Sequence, residues 1–490
     1  MGEPRKGTPG LGFSLRAPQG LARRQREIDS QPNRSEFVRD RDRILYSTAF
    51  RRLSGKTQMF TATHHDDTRT RLTHSIQVAQ ISRTLARWLD LDEDLAEAIA
   101  LGHDIGHTPF GHVGERVLNC IMNNCDTLVE SRLISDPSRA GFKHNLQSVR
   151  VAVDLERGFR NPAGLNLTNF TLFGLGWHSR TEWRLCDYYS GEGEQRCHLH
   201  YDPTDCERCG RLRTDFYARY DRYLQVRDPA DASGQHPWAW SFEARVVELG
   251  DEISQRHHDL EDGIYAQIIS PQQVTRWIWE DFGPFIAADP GTLRNFKAMR
   301  AAEDKMRFTT EMTKFIIHFL AEQLLAFSRE QLAAFAARHR LHSREEFEAR
   351  HGQFNYQEAS ACIGFAPDFA TAQASFKERL KNRILESYLV QSMNGKGTFI
   401  IRQLFRAYLD NPQQLPNPTI VRLYRQCLPE ELPDDPPADL TETIGNLRHK
   451  LERVLRRDPR YREDMSRVIC DYIAGMTDSY ALGEYHRLYG

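Results

Sequence analysis

A run of fifteen residues, LGHDIGHTPFGHVGE at positions 101–115, is rich in side chains that bind metal ions or move protons. These side chains are His103, Asp104, His107, His112 and Glu115. The adjacent histidine and aspartate can direct one imidazole nitrogen and one carboxylate oxygen at the same point. This combination suits Mn, Fe, Ni, Co or Zn better than Mg. Because two ligands do not make a metal site, further ligands must come from elsewhere in the chain.

Two more candidate ligands, His74 and Asp251, each lie on a predicted helix with an apolar side. His74 begins an apolar stripe that continues at helical spacing to Trp88. Asp251 borders the apolar face of EARVVELGDEIS, where an unpaired acid would be costly. Taken singly, the histidine is typical of a core residue and the aspartate of a cap or a salt bridge. Together with the 101–115 run they would form a four-ligand site with open positions for water or a phosphate oxygen.

His112 and Glu115 lie three residues apart at the start of the next predicted helix, so they share one face. A carboxylate beside an imidazole fixes its tautomer and favours its protonated form, which would let His112 give a proton to a leaving oxygen. The alternative is an acid that only interacts with the positive end of the helix dipole. The surrounding glycine-rich segment favours the functional interpretation, because a simple connector has little need of it.

Several side chains near these residues could bind phosphate. Arg71 lies three residues before His74 on the same helix face, which makes it a better phosphate ligand than Arg69. The other candidates are Lys56, Gln58, Lys143, His144 and Asn145. Each of these could equally be an ordinary surface residue.

Helices must position these residues, because helical periodicity dominates from residue 35 onward and Ser35 is a candidate helix cap. No stretch alternates apolar and polar residues long enough for a large sheet. The predicted fold class is therefore mainly α. Further helices are predicted at about 144–156, 168–178, 239–263, 304–325, 379–392, 397–410, 440–457 and 464–488.

The sequence pattern divides the chain into four parts. Residues 1–34 are rich in Gly, Pro and Arg and are expected to be a mobile or peripherally docked arm. Residues 35–186 and 238–330 are expected to form the helical core. Residues 331–490 are expected to form a C-terminal helical region that packs on this core. Residues 187–237 are a polar and aromatic insertion that carries cysteine and histidine.

The insertion contains a pattern that could hold a structural zinc ion. In CHLHYDPTDCERC, Cys197 and His200 form C-x2-H, and Cys206 and Cys209 form C-x2-C. This spacing permits a small tetrahedral zinc knuckle. The alternative is a polar insertion whose cysteines are incidental.

The composition indicates a globular protein without a strong charge bias. The net charge of −2, with 40% hydrophobic and 27% charged residues, excludes a wholly disordered chain and a strongly basic nucleic-acid coat. The sparse cysteines indicate reduced thiols, and the N-terminal MGEPRKGTPG has no apolar signal segment. The longest apolar runs, such as FIIHFL at 315–320, are too short to span a membrane. We therefore expect a cytoplasmic protein.

Seven motifs follow one another over nearly the whole chain, from residue 35 to 490. They are RDRILYSTAFRRLSGKTQMF, TRTRLTHSIQVAQ, GHDIGHTPFGHVGE, FKHNLQSVR, GLNLT, ELGDEIS and DYIAGMTDSYAL. In this order they resemble the deoxyguanosine triphosphate triphosphohydrolase (dGTPase) family of the HD-domain phosphohydrolase superfamily. The resemblance implies a helical HD fold with additional C-terminal helices. It also implies hydrolysis of dGTP or several dNTPs to the deoxynucleoside and inorganic triphosphate.

The resemblance also implies a cofactor, partners and site residues. The cofactor is one divalent metal, which could be Mn, Mg, Fe, Ni or Co, and the partners are a second copy of the chain and, in some relatives, a single-stranded DNA or dNTP effector. Carried over by position, the metal ligands are His74, His103, Asp104 and Asp251, and the catalytic dyad is His112 and Glu115. The residues expected to contact substrate are Gln58, Arg71, His107, His144, Asn145, Gln255 and Asp259. Relatives commonly have a tyrosine beside the deoxyribose at the position where this chain has Gln255. This difference leaves the base preference open.

Two other interpretations use the same residues. An HD-type phosphodiesterase or 5′-nucleotidase would share the metal ligands, but it gives no reason for DYIAGMTDSYAL or Gln58. A nucleotide or single-stranded DNA sensor would suit the Arg-rich N-terminal region, but it has no need of His112 and Glu115 beside the metal ligands. The implied hydrolase has water attack the α-phosphorus while Arg71 neutralises charge and His112 protonates the departing 5′-oxygen.

Overall fold

The computed structural model describes residues 12–26, 33–58, 69–125, 133–156, 164–179, 214–224, 239–427, 445, 447–451 and 459–490. The α-helices in these ranges are α1 (Glu36–Leu45), α2 (Thr48–Arg52), α3 (Arg71–Trp88), α4 (Glu93–Gly102), α5 (His112–Met122), α6 (His144–Arg150), α7 (Asn169–Trp177), α8 (Asp221–Leu224), α9 (Phe242–Tyr265), α10 (Pro271–Ala288), α11 (Pro290–Arg300), α12 (Lys305–Arg338), α13 (Arg344–Arg350), α14 (Tyr356–Ala361), α15 (Pro367–Leu385), α16 (Tyr388–Asp410), α17 (Asn417–Cys427), α18 (Pro459–Ala474) and α19 (Asp478–Tyr489). Extended pairing within the described ranges is limited to an isolated bridge between Thr57 and Thr70. The prediction of a mainly α fold is confirmed. No described helix combines the length and apolar character needed to cross a bilayer.

Side-chain caps fix where the helices around the predicted site begin. Ser35 caps α1, as predicted, by accepting a hydrogen bond from the Val38 amide. Thr70, Asp92 and Ser241 cap α3, α4 and α9 in the same way. Because a cap fixes the first turn, these residues help to determine which faces of the three helices turn inward.

Helices α3, α4 and α9 pack against one another in the larger of two hydrophobic cores. Val78, Ile99 and Val246 are fully buried there. Helix α9 approaches α3 closely at Gly250, where an added Cβ atom would lie 2.4 Å from Ser82 Oγ. The absence of a side chain at this position brings the next part of α9 close to α3.

A second hydrophobic core joins α5 to the C-terminal helices α16 to α19. Leu118 of α5, Leu404 of α16 and Val468 of α18 are fully buried in it. Helix α5 begins at His112. The C-terminal region therefore holds the helix that carries the predicted dyad, whereas α3, α4 and α9 belong to the larger core.

The described part of the N-terminal segment, residues 12–26, lies against the helical core. Leu15 is 2% exposed and Ala17 is 1% exposed. Arg24 pairs with the buried carboxylate of Asp40 at 2.5 Å. This stretch is therefore docked on the helical core.

The helix predicted at 304–325 is too short, because α12 continues to Arg338, and two other predictions run across a break between helices. The prediction at 379–392 spans a break, because α15 ends at Leu385 and Ser387 caps α16. The prediction at 464–488 joins two helices, since Thr477 caps α19. Periodicity alone does not reveal such a break, because serine and threonine also occur inside helices. Most of the helix predicted at 440–457 lies outside the described residues.

Candidate metal and catalytic site

The four predicted metal ligands meet where α3, the end of α4 and α9 come together. His74 Nε2 lies 2.9 Å from Asp251 Oδ1 and 4.0 Å from Asp104 Oδ2. His103 Nε2 lies 3.4 Å from Asp104 Oδ1 and 3.9 Å from Asp251 Oδ1. We call these four residues the His/Asp cluster. The potential ligand atoms of His74, His103 and Asp104 all lie within 4.8 Å of one another, and with the neighbouring Asp251 they are compatible with a divalent metal site.

His103 tests directly whether a metal fits the cluster. Its Nδ1 lies 2.6 Å from the carbonyl oxygen of Ala100, so Nδ1 carries the proton and donates it. The other ring nitrogen, Nε2, is buried without a hydrogen-bond partner in the part of the chain that the structure describes, and in the neutral form of the ring it is an acceptor. A buried acceptor without a donor is costly, and a cation beside the two carboxylates would satisfy it. The residues present thus fit a divalent ion.

A hydrogen-bond chain fixes the tautomer of His74. Its Nδ1 lies 3.2 Å from Nδ1 of His258, whose Nε2 lies 2.5 Å from Oε1 of Gln77. Burial, reinforced by the neighbouring His257, lowers the pKa of His258 far below its usual range, so its ring is neutral. Because an amide oxygen only accepts, Nε2 of His258 carries the proton and its Nδ1 accepts. His74 therefore donates from Nδ1, which leaves its Nε2 as a metal ligand atom.

Arg71 lies beside the cluster and pairs with Asp104. Its Nη1 donates to Asp104 Oδ2 at 2.6 Å, and Arg71 is only 2% exposed. Burial opposes the charge on Asp104, but His103, Arg71 and His74 outweigh it and hold the pKa of this carboxyl well below its usual range. The Nε and Nη2 atoms of Arg71 are buried and have no hydrogen-bond partner among the described residues. They are available to an anion bound beside the cluster.

His112 and Glu115 lie in the first turn of α5 and contact each other. Nδ1 of His112 donates to Oε2 of Glu115 at 3.1 Å. The side chain of His112 is 61% exposed, whereas that of Glu115 is 1% exposed. We call this pair the dyad. Its imidazole is held at one nitrogen by a buried carboxylate, and the exposed ring can meet a ligand.

Glu115 also binds the start of α6. Its Oε1 accepts hydrogen bonds from the backbone amide of His144 at 2.9 Å and from the ring Nδ1 of His144 at 2.7 Å, and it lies 3.3 Å from Lys143 Nζ. Burial alone would raise the pKa of Glu115, but His144, Lys143 and the hydrogen bond from His112 hold it well below its usual range. Glu115 is therefore a fixed anion that orients both histidines.

His107 lies between the cluster and the dyad. Its ring stacks on that of His144 with the centroids 3.9 Å apart, and its Nε2 lies 3.3 Å from Asp104 Oδ1. Burial and the nearby charge of Arg71 lower the pKa of His107 well below its usual range, so it is neutral at physiological pH. Its Nδ1 is buried and makes no hydrogen bond to any described residue.

Gln58 and Asn145, two of the predicted amide ligands, have different surroundings. Oε1 of Gln58 is buried and lacks a hydrogen-bond partner within the described ranges. The amide nitrogen of Asn145 donates to the carbonyl oxygens of Gly176 at 2.6 Å and Ser179 at 3.2 Å. Gln58 thus retains an unused acceptor, whereas Asn145 ties α6 to the end of α7.

Gln255 and Asp259 follow Asp251 at intervals of four residues on α9, so the three side chains share one face of the helix. Burial raises the pKa of Asp259 to about 7, although the charge of Arg256 acts in the opposite direction. A carboxyl with this pKa is partly protonated near neutral pH and can both donate and accept hydrogen bonds.

Two groups singled out from the sequence do not join the site. Arg69 is paired with Glu261 at 2.5 Å and with Asp262 at 3.3 Å, so its charge is committed to α9. The predicted zinc ligands Cys197, His200, Cys206 and Cys209 lie outside the described residues.

His178 belongs to the site but was not recognised from the sequence. It is 2% exposed, and its ring centroid lies 5.1 Å from that of His103. With Asp104 and His144 it forms a second group whose potential ligand atoms lie within 4.8 Å of one another. Burial lowers its pKa to about 3, so it is neutral. It follows an apolar helix directly, and no periodic signal in the sequence marked it.

Comparison with known families agrees with this geometry. Residues 71–156 match the HD domain, and residues 363–428 and 438–487 match the phosphohydrolase-associated domain. Together with the helical fold and the buried His/Asp cluster, these matches define a hydrolase of the HD superfamily.

Bacterial proteins named deoxyguanosinetriphosphate triphosphohydrolase-like protein are similar over most of the chain. The one from Bordetella pertussis is 32% identical over 457 residues, which cover 93% of this chain and 90% of the relative. Those from Thiobacillus denitrificans and Nitrobacter hamburgensis are 31% and 33% identical, covering 97% and 95% of this chain and 96% and 94% of the relatives. The chain belongs to the family of deoxyguanosinetriphosphate triphosphohydrolase-like proteins.

Proposed function

We propose that this protein hydrolyses deoxynucleoside triphosphates, either dGTP or several dNTPs, to the deoxynucleoside and inorganic triphosphate. One observation carries the proposal: the His/Asp cluster, the unused N–H groups of Arg71 and the dyad lie together along the 101–115 run and α3. Such a site offers a place for a metal ion, an anion clamp and a proton donor. The names of the relatives support a deoxynucleoside triphosphate as the substrate.

The His/Asp cluster would hold one divalent ion, which could be Mn, Mg, Fe, Ni or Co. The unused Nε2 of His103 and the tautomer of His74 support this assignment. When bound, such an ion polarises a phosphoryl oxygen and lowers the pKa of water. Arg71 donates to Asp104 and so keeps this carboxylate ionised and oriented.

Arg71 would bind the phosphate at which water attacks. Its Nη1 is engaged by Asp104, so its Nε and Nη2 donate to the phosphate oxygens. Negative charge on those oxygens is stabilised by donors that are already in place. The neutral ring of His107 adds an uncharged hydrogen-bonding group beside Arg71.

His112 would act as the general acid. Glu115 holds its Nδ1, and the other ring nitrogen gives its proton to the departing 5′-oxygen of the deoxynucleoside. Glu115 remains ionised because His144 and Lys143 stabilise its charge, so the orientation of the His112 ring is maintained through the reaction.

Gln58, Gln255 and Asp259 would contact the nucleoside. The buried acceptor of Gln58 suits a sugar hydroxyl, and a partly protonated Asp259 can donate or accept. Gln255 offers an amide where many relatives would offer a phenol. This difference affects the choice of nucleotide rather than the cleavage itself.

Product analysis tests the proposal. The purified protein is loaded with Mn and incubated with each of the four dNTPs, singly and as a mixture, and the products are separated by ion-exchange chromatography. We expect equal amounts of deoxynucleoside and inorganic triphosphate from at least one dNTP. Release of only pyrophosphate or orthophosphate would contradict the proposal and favour another phosphohydrolase chemistry.

A further inference from the structure

Asp478, the first residue of the C-terminal helix α19, binds two segments that lie far from it in the sequence. Its Oδ2 accepts hydrogen bonds from the Thr57 amide at 3.0 Å and from the Thr57 hydroxyl. Its Oδ1 accepts from the Phe110 amide at 2.9 Å. One carboxylate therefore joins the segment that leads into Gln58 to the loop that leads into His112.

Lys56 joins the same segments a second time. Its buried ammonium group donates to the carbonyl oxygen of His107 and, at 2.9 Å, to that of Ala474 at the end of α18. The carbonyl oxygen of Lys56 accepts from the Arg71 amide at 3.1 Å. The 55–58 segment thus lies between the C-terminal helices, the 106–111 loop and the start of α3.

The loop before α5 has a strained backbone. Phe110 has φ +60° and Gly111 has φ +61°, so two consecutive residues have a positive φ. This conformation costs a residue with a side chain roughly 1–2 kcal/mol, so neighbouring contacts must maintain it. A Cβ atom at Gly111 would lie 3.2 Å from Arg71 Nη2, which shows how closely this loop passes the proposed phosphate clamp.

The position of this loop determines the position of the dyad. Gly111 is the N-cap of α5 and provides no side-chain cap, and His112 is the first residue of the helix. A change in the backbone conformation of Phe110 would therefore move the backbone of His112. The carboxylate of Asp478 binds the amide of the strained residue itself.

We propose that Asp478 is a positioning residue that holds the dyad and Gln58 in register through the Phe110 and Thr57 amides. This inference rests on the proposed function, since His112 and Gln58 have their roles only there. The inference assigns the TDSYAL motif of α19 a role in positioning the dyad and Gln58, although α19 contributes no ligand to the His/Asp cluster.

Two substitutions at Asp478 and one matched control test this inference. Asp478→Ala removes both carboxylate oxygens that accept hydrogen bonds. Asp478→Asn keeps one acceptor oxygen, for either Thr57 or Phe110, and places an NH2 group, which cannot accept, opposite the other. The control is Glu484→Gln on the same helix, whose carboxylate binds the Tyr408 hydroxyl and Arg487 rather than the 106–111 loop. For each variant we would measure kcat and KM for the dNTP, Mn affinity, and hydrogen exchange of the peptide that contains Phe110.

We expect Asp478→Ala to lower kcat by roughly 10- to 100-fold, because small errors in the position of a reacting group are costly. Asp478→Asn should retain more activity, and Mn affinity should stay within threefold of wild type because the ligands of the cluster lie on α3, on α9 and in the turn directly after α4. The Phe110 peptide should exchange faster in Asp478→Ala and not in Glu484→Gln. If Asp478→Ala does not fold, the same comparison is made with Asp478→Asn.

Two results would overturn the inference: a kcat within threefold of wild type in an active enzyme, or unchanged exchange of the Phe110 peptide. Hydrogen exchange and Mn affinity need no turnover. A wild-type protein that releases no triphosphate would therefore refute the proposed function, while faster exchange in the Asp478 variants alone would still support the positioning role.

Discussion

At the scale of single residues, neighbouring histidines have different chemistry because their surroundings differ. His74 and His103 each have Nδ1 engaged, so Nε2 faces the carboxylates of the cluster. Burial keeps His107 and His178 neutral. His112 is largely exposed and is held by an ionised carboxylate. This contrast makes His112 the best placed of the five to transfer a proton to a bound ligand.

His112→Ala should separate proton transfer from metal binding. We expect kcat to fall by roughly 100-fold or more, as for loss of a general acid, while Mn affinity stays near that of wild type. Steady-state kinetics together with calorimetric Mn titration would measure both effects. A kcat within tenfold of wild type would remove His112 from the mechanism.

His258→Ala should weaken metal binding without removing a ligand. The substitution deletes the acceptor for His74 Nδ1, so the tautomer of His74 is no longer fixed. Loss of such a partner typically lowers metal affinity by about 10- to 100-fold. The control is His339→Ala, since the His339 ring contacts Glu358 and Phe354 rather than the His/Asp cluster. Equal Mn affinities for the two variants would contradict this role of His258.

At the scale of elements, the approach of α9 to α3 should depend on Gly250. Gly250→Ala places a Cβ atom 2.4 Å from Ser82 Oγ, so either the buried Ser82 hydroxyl or the two helices must shift. We expect a loss of roughly 1–3 kcal/mol in the free energy of unfolding, and weaker Mn binding because Asp251 moves. Adding Ser82→Ala should restore most of the lost stability and Mn affinity. The next nearest atom to the new Cβ is Ser82 Cβ, at an ordinary 3.5 Å. Urea unfolding of the single and double variants checks this. A double variant as unstable as Gly250→Ala would show that the clash is not the cause.

The stability of the folded protein should depend on pH through Glu243. Its Oε1 accepts from the Ala17 amide at 3.1 Å and the Asp92 amide at 2.8 Å. Burial, with a contribution from the charge of Asp92, raises the pKa of Glu243 from about 4.5 to about 7. The folded protein then keeps a proton that the unfolded chain loses. The resulting stabilisation is complete below the unfolded pKa and is lost as the pH rises through 7.

The measurement is urea unfolding of wild type and Glu243→Gln at pH 5 and pH 8. We expect the free energy of unfolding of wild type to fall by roughly 2–3 kcal/mol more than that of the variant over this range, at about 1.4 kcal/mol per pKa unit. If the free energy of unfolding changed equally in the two proteins between pH 5 and pH 8, Glu243 would not be neutral in the folded protein.

The sequence allowed prediction of elements that depend on local signals. Ser35 begins α1 as predicted, because a hydroxyl before an amphipathic run is a local cap signal. The predicted ligand His74 and its partner Asp251 meet, because each lay at the border of an apolar face. The pairing of Arg69 with Glu261 and the role of His258 were not predictable, since both depend on how α9 lies against α3.

At the scale of the whole molecule, the site lies between the two hydrophobic cores. The His/Asp cluster is carried by α3, α9 and the turn directly after α4 in the larger core, whereas the dyad is carried by α5 of the second core. Asp478 and Lys56 connect the two where they meet. The region that matches the phosphohydrolase-associated domain is therefore part of the framework of the site. No local pattern in the sequence could predict this connection, because its partners are hundreds of residues apart.

The most direct test of the central claim is Mn content and dNTP turnover in the same preparations of wild type and Asp104→Asn. Asparagine keeps an acceptor for Arg71 but removes the charge that a divalent ion requires. We predict that wild type binds one Mn per chain and releases inorganic triphosphate, while a folded Asp104→Asn variant binds no Mn and shows no turnover. Full activity of the folded Asp104→Asn variant would contradict the claim that the His/Asp cluster is a catalytic metal site.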